Sequence, residues 1–244
     1  MFKSLIEGKK GVFFDLDGTL IDSEPLWVLA FDAVLRKADP SVPLEGVYEL
    51  PGESLYDKWK RIVTKKLIKT QQPAEELTEA THKEFLRLIE DHGIDARDGF
   101  WELAFELKEE KGFKLALATN TDESVAKIIV EKLGLDKVFD FIIYGNQVKR
   151  RKPDPEMYLT AAKQLGLSPK EVLVFEDSIF GAAAAEKAGM SLVLIWDNQT
   201  AKTEFPKDTL LFLQDFMGLA GNLDMTPKEM FDQIKEKLES KQSK

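Results

Sequence analysis

The chain has no cysteine and only two histidines, His82 and His92, among its 244 residues. Disulfides, thiol nucleophiles and zinc–thiolate centres are thereby excluded, and two imidazoles are too few for a histidine metal cluster. Long hydrophobic runs are missing too. The N-terminal "MFKSLIEGKKG" lacks an apolar core of signal-peptide length, and no later run is long enough to span a bilayer. A cytoplasmic protein with no membrane partner is expected. Basic residues are outnumbered, 34 Lys and Arg against 43 Asp and Glu, for a net charge of −9. A nucleic-acid partner needs a basic face, so none is expected. There are no internal repeats and no low-complexity linker. The remainder, 43% hydrophobic and 32% charged, suits a globular protein with a real core.

The order of elements carries the fold. "GVFFDL", from residue 11, is a short apolar run ending at a Gly turn and reads as a strand. Helical spacing then dominates over 24–36, 54–70 and 74–91, punctuated by Pro40, Pro43, Pro51, Gly52 and Pro73. After "DARDGF" the rhythm changes to helix 100–111, strand "FKLALAT", helix 123–133, strand "FDFIIYG", helix 156–165, strand "EVLVFED", helix 179–188 and strand "SLVLIW". The "LGL" and "AGM" triplets mark helix stops, while Asp154–Pro155 and Ser168–Pro169 supply caps with Pro at N1. "LLFLQDF" offers a last strand. Thr226 and Glu229 open a tail helix over 225–240 with a capping box, and Met225 can staple onto Met230. Strands alternating with helices predict a parallel α/β sheet with right-handed crossovers. The helical insertion of roughly 70 residues after strand one far exceeds the usual connection of about 2–6 residues and reads as a lid.

The polar residues fall at the carboxyl ends of these strands, where open parallel sheets bind ligands. Strand one ends in Asp15 and Asp17, strand two in Thr119 and Asn120. Lys152 sits in "VKRRKPDP", and Glu176 with Asp177 ends strand four. Taken singly, each is an ordinary turn, cap or solvated loop. Such readings do not explain why all of them share one edge. Four carboxylates in a small volume require cations, and an all-oxygen set suits Mg²⁺ beside a substrate phosphate. Thr119, Asn120 and Lys152 are then phosphate-binding candidates, as donors to anionic oxygens. Asp15 can attack phosphorus. Asp17, on the same strand face two residues on, can give a proton to the leaving oxygen and later take one from water. The pattern D-x-D-G-T arises by chance in a chain of this length about once in 300 sequences.

The chain resembles the haloacid dehalogenase superfamily through "DLDGTLID", "LATN", "KRRKPDPEMY" and "FEDSIFGAAAAEKAGM", in that order and over nearly its whole length. It is most similar to the subgroup of β-phosphoglucomutases, phosphoglycolate phosphatases and sugar-phosphate phosphatases. The resemblance implies a Rossmann-like three-layer parallel-sheet core over 1–21 and 97–244, with an all-helical cap domain inserted over 22–96. It implies that Asp15 is the nucleophile and Asp17 the acid–base group, with Thr119 and Lys152 on phosphate. Mg²⁺ would be held by Asp15, the Asp17 backbone carbonyl and Asp177, with Glu176 direct or through water. Dehalogenases of this superfamily lack the second aspartate, because halide leaves without a proton. Asp17 therefore favours phosphoryl chemistry. The resembling mutases carry a His after the first motif and an Arg in a cap loop, where this chain has Trp27 and Leu55. Phosphonatases use a cap lysine, for which Lys58, Lys60 and Lys83 are the candidates. The expected function is a Mg²⁺-dependent phosphatase of a small phosphorylated metabolite, working as a monomer or weak dimer. The alternatives are a phosphosugar mutase and a non-catalytic binding protein of the same fold. Specificity is expected from the cap, at Glu24, Trp27, Ser54 and Lys83, with Glu53, Trp59 and His82 also candidates.

Overall fold

The structure, a computed structural model, describes residues 2–42, 47 and 54–221. The expected tail helix over 225–240, with its capping box, and Glu53 lie outside the described residues. The chain divides into two compact units, 22–94 and the remainder.

The remainder is built on a six-stranded, wholly parallel sheet. Its strands are β1 (Gly11–Phe14), β2 (Lys114–Ala118), β3 (Phe141–Ile143), β4 (Val172–Glu176), β5 (Ser191–Ile195) and β6 (Leu211–Leu213), in the order β3-β2-β1-β4-β5-β6. The chain winds one way from β1 to β3, crosses back and winds the other way from β4 to β6. The switch point lies between β1 and β4, the place where such sheets bind ligands. Every residue of β1 and β4 is buried, because helices cover both faces of a parallel sheet. On one face Phe13, Ala116 and Val174 pack against Met157, Ala161 and Ala185, from α7 (Glu156–Gln164) and α8 (Ile179–Ala188). On the other, Phe14 stacks on Phe175 at 5.1 Å and meets Phe100, Phe139 and Phe216 edge-on.

The other unit is helical: α2 (Glu24–Ala38), α3 (Leu55–Thr64) and α4 (Ala74–His92). Its own core gathers Phe31, Leu35, Trp59, Ile62 and Leu77. Trp59 is fully buried, and its indole donates to Thr81 Oγ1 at 3.0 Å. It is therefore a core residue and not a group presented to a substrate, because a buried indole is satisfied by an internal acceptor.

Three local readings are corrected. The helix expected over 54–70 stops at Thr64. Lys66 takes φ 53°, Lys66 N donates to Val63 O and Leu67 N to Ile62 O, which is a Schellman motif closed by lysine in place of glycine. Pro155 is the residue before α7, not its first residue, while Asp154 caps as expected, its Oδ1 accepting from Glu156 N at 3.0 Å. Helix 100–111 is α5 (Phe100–Phe105) followed by a π-helical turn over Glu106–Glu110. A one-turn helix, α1 (Phe2–Leu5), is too short to show periodicity. Ser168 does cap the turn Pro169–Glu171 with a capping box, and α6 (Glu123–Leu133) follows β2.

Candidate active site

Register assembles the site. Phe14 pairs with Phe175 on β4 and Leu117 on β2, and Asp15 N donates to Phe175 O. Asp15 is thereby held between Glu176 and Ala118 at the central strand's carboxyl end. Asp17 lies beyond the strand, bridged to Ile21, with Gly18 at φ 81° next to it. The i, i+2 alternation of a strand therefore does not place Asp17; the turn does. Gly18 is required twice over: its φ is positive, and a Cβ there would overlap the Asp177 carboxylate. Thr19, also buried, donates to Asp177 Oδ1 at 2.9 Å, and Arg97 donates twice to Gly18 O.

One carboxylate oxygen each of Asp15, Glu176 and Asp177 lie within 4.8 Å of one another. A like-charge pair at about 5 Å costs roughly 3 kcal/mol at an effective dielectric of about 20. The ammonium among them is Lys152, itself buried, whose three protons go to Asp15 Oδ1 (2.6 Å), Glu176 Oε1 (2.6 Å) and Ala118 O (2.7 Å). Lys152 donates to two of these carboxylates, Asp15 and Glu176, and the oxygen atoms that the three acids offer are all hard ligands. That set fits Mg²⁺. The Asp17 carboxylate is not in this group.

Electrostatics follow from burial. Desolvation pushes the Asp15 carboxyl well above the usual carboxylate range, Lys152 opposes it, and Glu176 and Asp17 add to it. Burial alone would lower Lys152, but the carboxylates of Asp15 and Glu176 outweigh it and hold the ammonium above its ordinary value. Burial and the Glu176 charge raise the Tyr158 hydroxyl well above its own.

Glu176 is fully buried and surrounded by donors. Lys152 Nζ and Tyr158 OH (2.7 Å) meet Oε1, while Asp177 N, Ser178 N and Ser178 Oγ meet Oε2. A carboxylate accepts at about four positions, so these donors saturate it. Ser178 separately caps α8, accepting from Gly181 N at 3.0 Å. The acidic pair is therefore not needed as the cap.

The loop after β2 locks to the Lys152 segment. Asn120 spends its side chain on the Lys152 backbone, accepting from N at 3.1 Å and donating to O at 3.3 Å. It clamps the Lys152 backbone through Oδ1 and one of its two Nδ2 protons. Arg151 donates to Asn120 O and to Asp122. Thr119, buried, accepts Thr121 N at 3.0 Å, and Thr121 Oγ1 donates to Asp17 Oδ2 at 2.6 Å. Arg151 and Tyr158 stand inside the motif "KRRKPDPEMY" but are given no role by it, and Thr121 lies just beyond "LATN". Only the "TNT" repeat hints at Thr121.

Within the helical unit the four specificity candidates have distinct settings. Glu24 is exposed at the first turn of α2. Trp27 stacks on Phe85 at 3.6 Å and meets His82 edge-on. Ser54 is the N-cap of α3, accepting from Asp57 N and donating to Asp57 Oδ2. Lys83 pairs with Glu79 along the exposed face of α4. Cap and surface pair each account for Ser54 and Lys83 without a ligand. Among the described residues, no helix is long and apolar enough to cross a membrane.

Comparison with known proteins agrees with this geometry. The sequence model of the haloacid dehalogenase-like hydrolases matches residues 9–189. A phosphorylated carbohydrates phosphatase of Thermotoga maritima is 33% identical over 190 residues, 75% of this chain and 83% of that protein. A phosphoglycolate phosphatase of Aquifex aeolicus is 29% identical over 214 residues, 86% and 96% of the two chains. Among solved structures, CbbY from Rhodobacter sphaeroides in complex with phosphate superposes with a TM-score of 0.75 at 25% identity, covering 87% of this chain and 97% of that one.

Proposed function

The chain belongs to the haloacid dehalogenase-like hydrolases, and on that premise we propose that it is a Mg²⁺-dependent phosphatase of small phosphorylated metabolites that works through an aspartyl phosphate. The observation that carries this reading is Asp15: it ends the central strand, Lys152 engages its Oδ1, and Asp177 stands within the same acidic group. Asp15 Oδ2 attacks phosphorus while the bond from phosphorus to the substrate's bridging oxygen breaks. That oxygen keeps the electron pair and takes a proton from Asp17. Water then attacks the aspartyl phosphate and gives a proton back to Asp17, and the carboxylate of Asp15 leaves. The products are an alcohol and inorganic phosphate. Thr119 and Lys152 would bind the phosphoryl oxygens, Lys152 by exchanging one of its three present acceptors for phosphate. Asp15, the Asp17 carbonyl and Asp177 would hold Mg²⁺, with Glu176 direct or through water, while Glu176 also fixes Lys152. When bound, the metal supplies charge neutralisation for the transferring group.

The helical unit acts as the cap that selects the metabolite. The names of the relatives make sugar phosphates and phosphoglycolate the first substrates to try. Hydrolysis is preferred over phosphosugar mutation because Trp27, where the resembling mutases carry histidine, is an indole stacked on Phe85 and offers no acid–base group. The reading extends to a cytoplasmic monomer or weak dimer acting without nucleic acid or membrane. The test is a phosphate-release screen over phosphorylated metabolites and p-nitrophenyl phosphate, with Mg²⁺ and with EDTA. Release that depends on Mg²⁺ is expected. No release from any compound overturns the reading, and β-glucose 1-phosphate converted to glucose 6-phosphate without release would make it a mutase.

A further inference from the structure

Asp17 must present a carboxyl group to the leaving oxygen, yet it sits in a turn outside the sheet. Its backbone is fixed by the bridge to Ile21. Its side chain is fixed from across the site, by a residue 104 positions away in sequence: Thr121 Oγ1 donates to Oδ2 at 2.6 Å. Thr121 is in turn held by its own main chain, through Thr121 N to Thr119 Oγ1 at 3.0 Å and Gly145 N to Thr121 O at 3.0 Å. A hydroxyl so placed sets the rotation of the carboxylate plane, which decides whether an oxygen of Asp17 meets the leaving group. The Thr119 hydroxyl, accepting the Thr121 N–H, keeps its own proton for another acceptor.

We infer that Thr121 is a positioning residue for the acid–base group: through its hydroxyl it aims Asp17 at the leaving oxygen, and through its N–H it ties that aim to the Thr119 hydroxyl that meets the phosphate. The inference rests on the phosphatase reading. It also makes a demand that simple structural support does not. Proton donation matters in proportion to the basicity of the leaving group. An alkoxide from a sugar phosphate needs the proton, whereas p-nitrophenolate leaves without one. A misdirected Asp17 therefore harms the first substrate and spares the second.

The experiment compares kcat/KM, which reports the step that phosphorylates Asp15, for the best alkyl phosphate from the screen and for p-nitrophenyl phosphate. Thr121→Val keeps the side-chain volume and removes the donor; Thr121→Ser keeps the donor and removes the methyl. General acid–base catalysis is worth about 10²–10⁴-fold, so misaiming is expected to cost about tenfold or more on the alkyl phosphate and less than about threefold on p-nitrophenyl phosphate. Thr121→Ser is expected to restore the alkyl rate to within about threefold of wild type. Equal losses on both substrates, unchanged rates on both, or no rescue by serine overturn the inference. If the valine protein does not fold, Thr121→Ala serves in its place with the same criteria. A wild-type protein that cleaves neither substrate overturns the phosphatase reading itself, a different result from wild-type turnover with no leaving-group dependence in the variant.

Discussion

Around the fully buried Glu176, Gly181 is the residue that gives way: a Cβ there would overlap the carboxylate. Two effects oppose each other in Gly181→Ala. Alanine in a helix gains up to about 1 kcal/mol over glycine. Overpacking a filled site costs about 1–3 kcal/mol, and here the displaced group also carries the hydrogen bonds of Lys152 and Tyr158. The steric cost wins. Gly181→Ala is expected to lower the thermal midpoint and to reduce turnover about tenfold or more, as an overpacked site misplaces Lys152. An unchanged midpoint with unchanged turnover would show that Glu176 can move freely. At this scale the sequence reveals the groups that do chemistry and conceals those that aim them. Asp15, Thr119, Lys152, Glu176 and Asp177 are readable because each ends a strand or stands in a spaced motif. The contacts of Thr121, Tyr158 and Asn120 form only when distant segments close on one another, so their roles are not recorded even where, as for Asn120 and Tyr158, the residue stands in a motif. Asp17 is a mixed case: its position in the motif is plain, but a turn and not strand alternation orients it.

Elements are legible where their boundary chemistry is ordinary. The turn Pro169–Glu171 is one such place. Glu171 Oε2 accepts from Ser168 N and Oγ, and Lys10 pairs with Oε1 at 2.6 Å. The Lys10 ammonium and the two Ser168 donors draw the Glu171 carboxyl down from its ordinary 4.5 to about 2. A carboxylate depressed by folding contributes stability that is fully present above about pH 4.5 and is lost as the pH falls toward about 2. Because the pair is open to water, its worth is small. Wild type is expected to melt slightly above Glu171→Gln at pH 6, with the gap closing as the pH falls toward 2. A gap that is constant with pH would contradict the assignment. Boundaries fail to show where an uncommon residue does the usual job. Lys66 closes α3 in a conformation that glycine normally supplies, so the helix appears longer in the sequence than it is. Asp154 caps α7 as its place before Pro155 suggests, although the helix itself opens one residue later, at Glu156.

For the whole molecule, one topological fact organises the rest. The sheet reverses its winding between β1 and β4, and the carboxyl ends of those two strands carry Asp15 and Glu176 with Asp177. The alternation of apolar runs and helical spacing makes this parallel architecture legible, because fully buried strands must be apolar throughout. The order of strands across the sheet is not written in any one segment. It follows from crossover handedness and from which helices cover which face. A scaffold that gathers three carboxylates, two of them on a buried lysine, is costly unless the group is used. That use is tested most directly by the turnover of p-nitrophenyl phosphate by Asp15→Asn in the presence of Mg²⁺. Asparagine keeps the shape of the side chain and removes the nucleophile. Turnover is expected to fall by about 10³-fold or more while the protein remains folded. Turnover within about tenfold of wild type would contradict an aspartyl phosphate at Asp15.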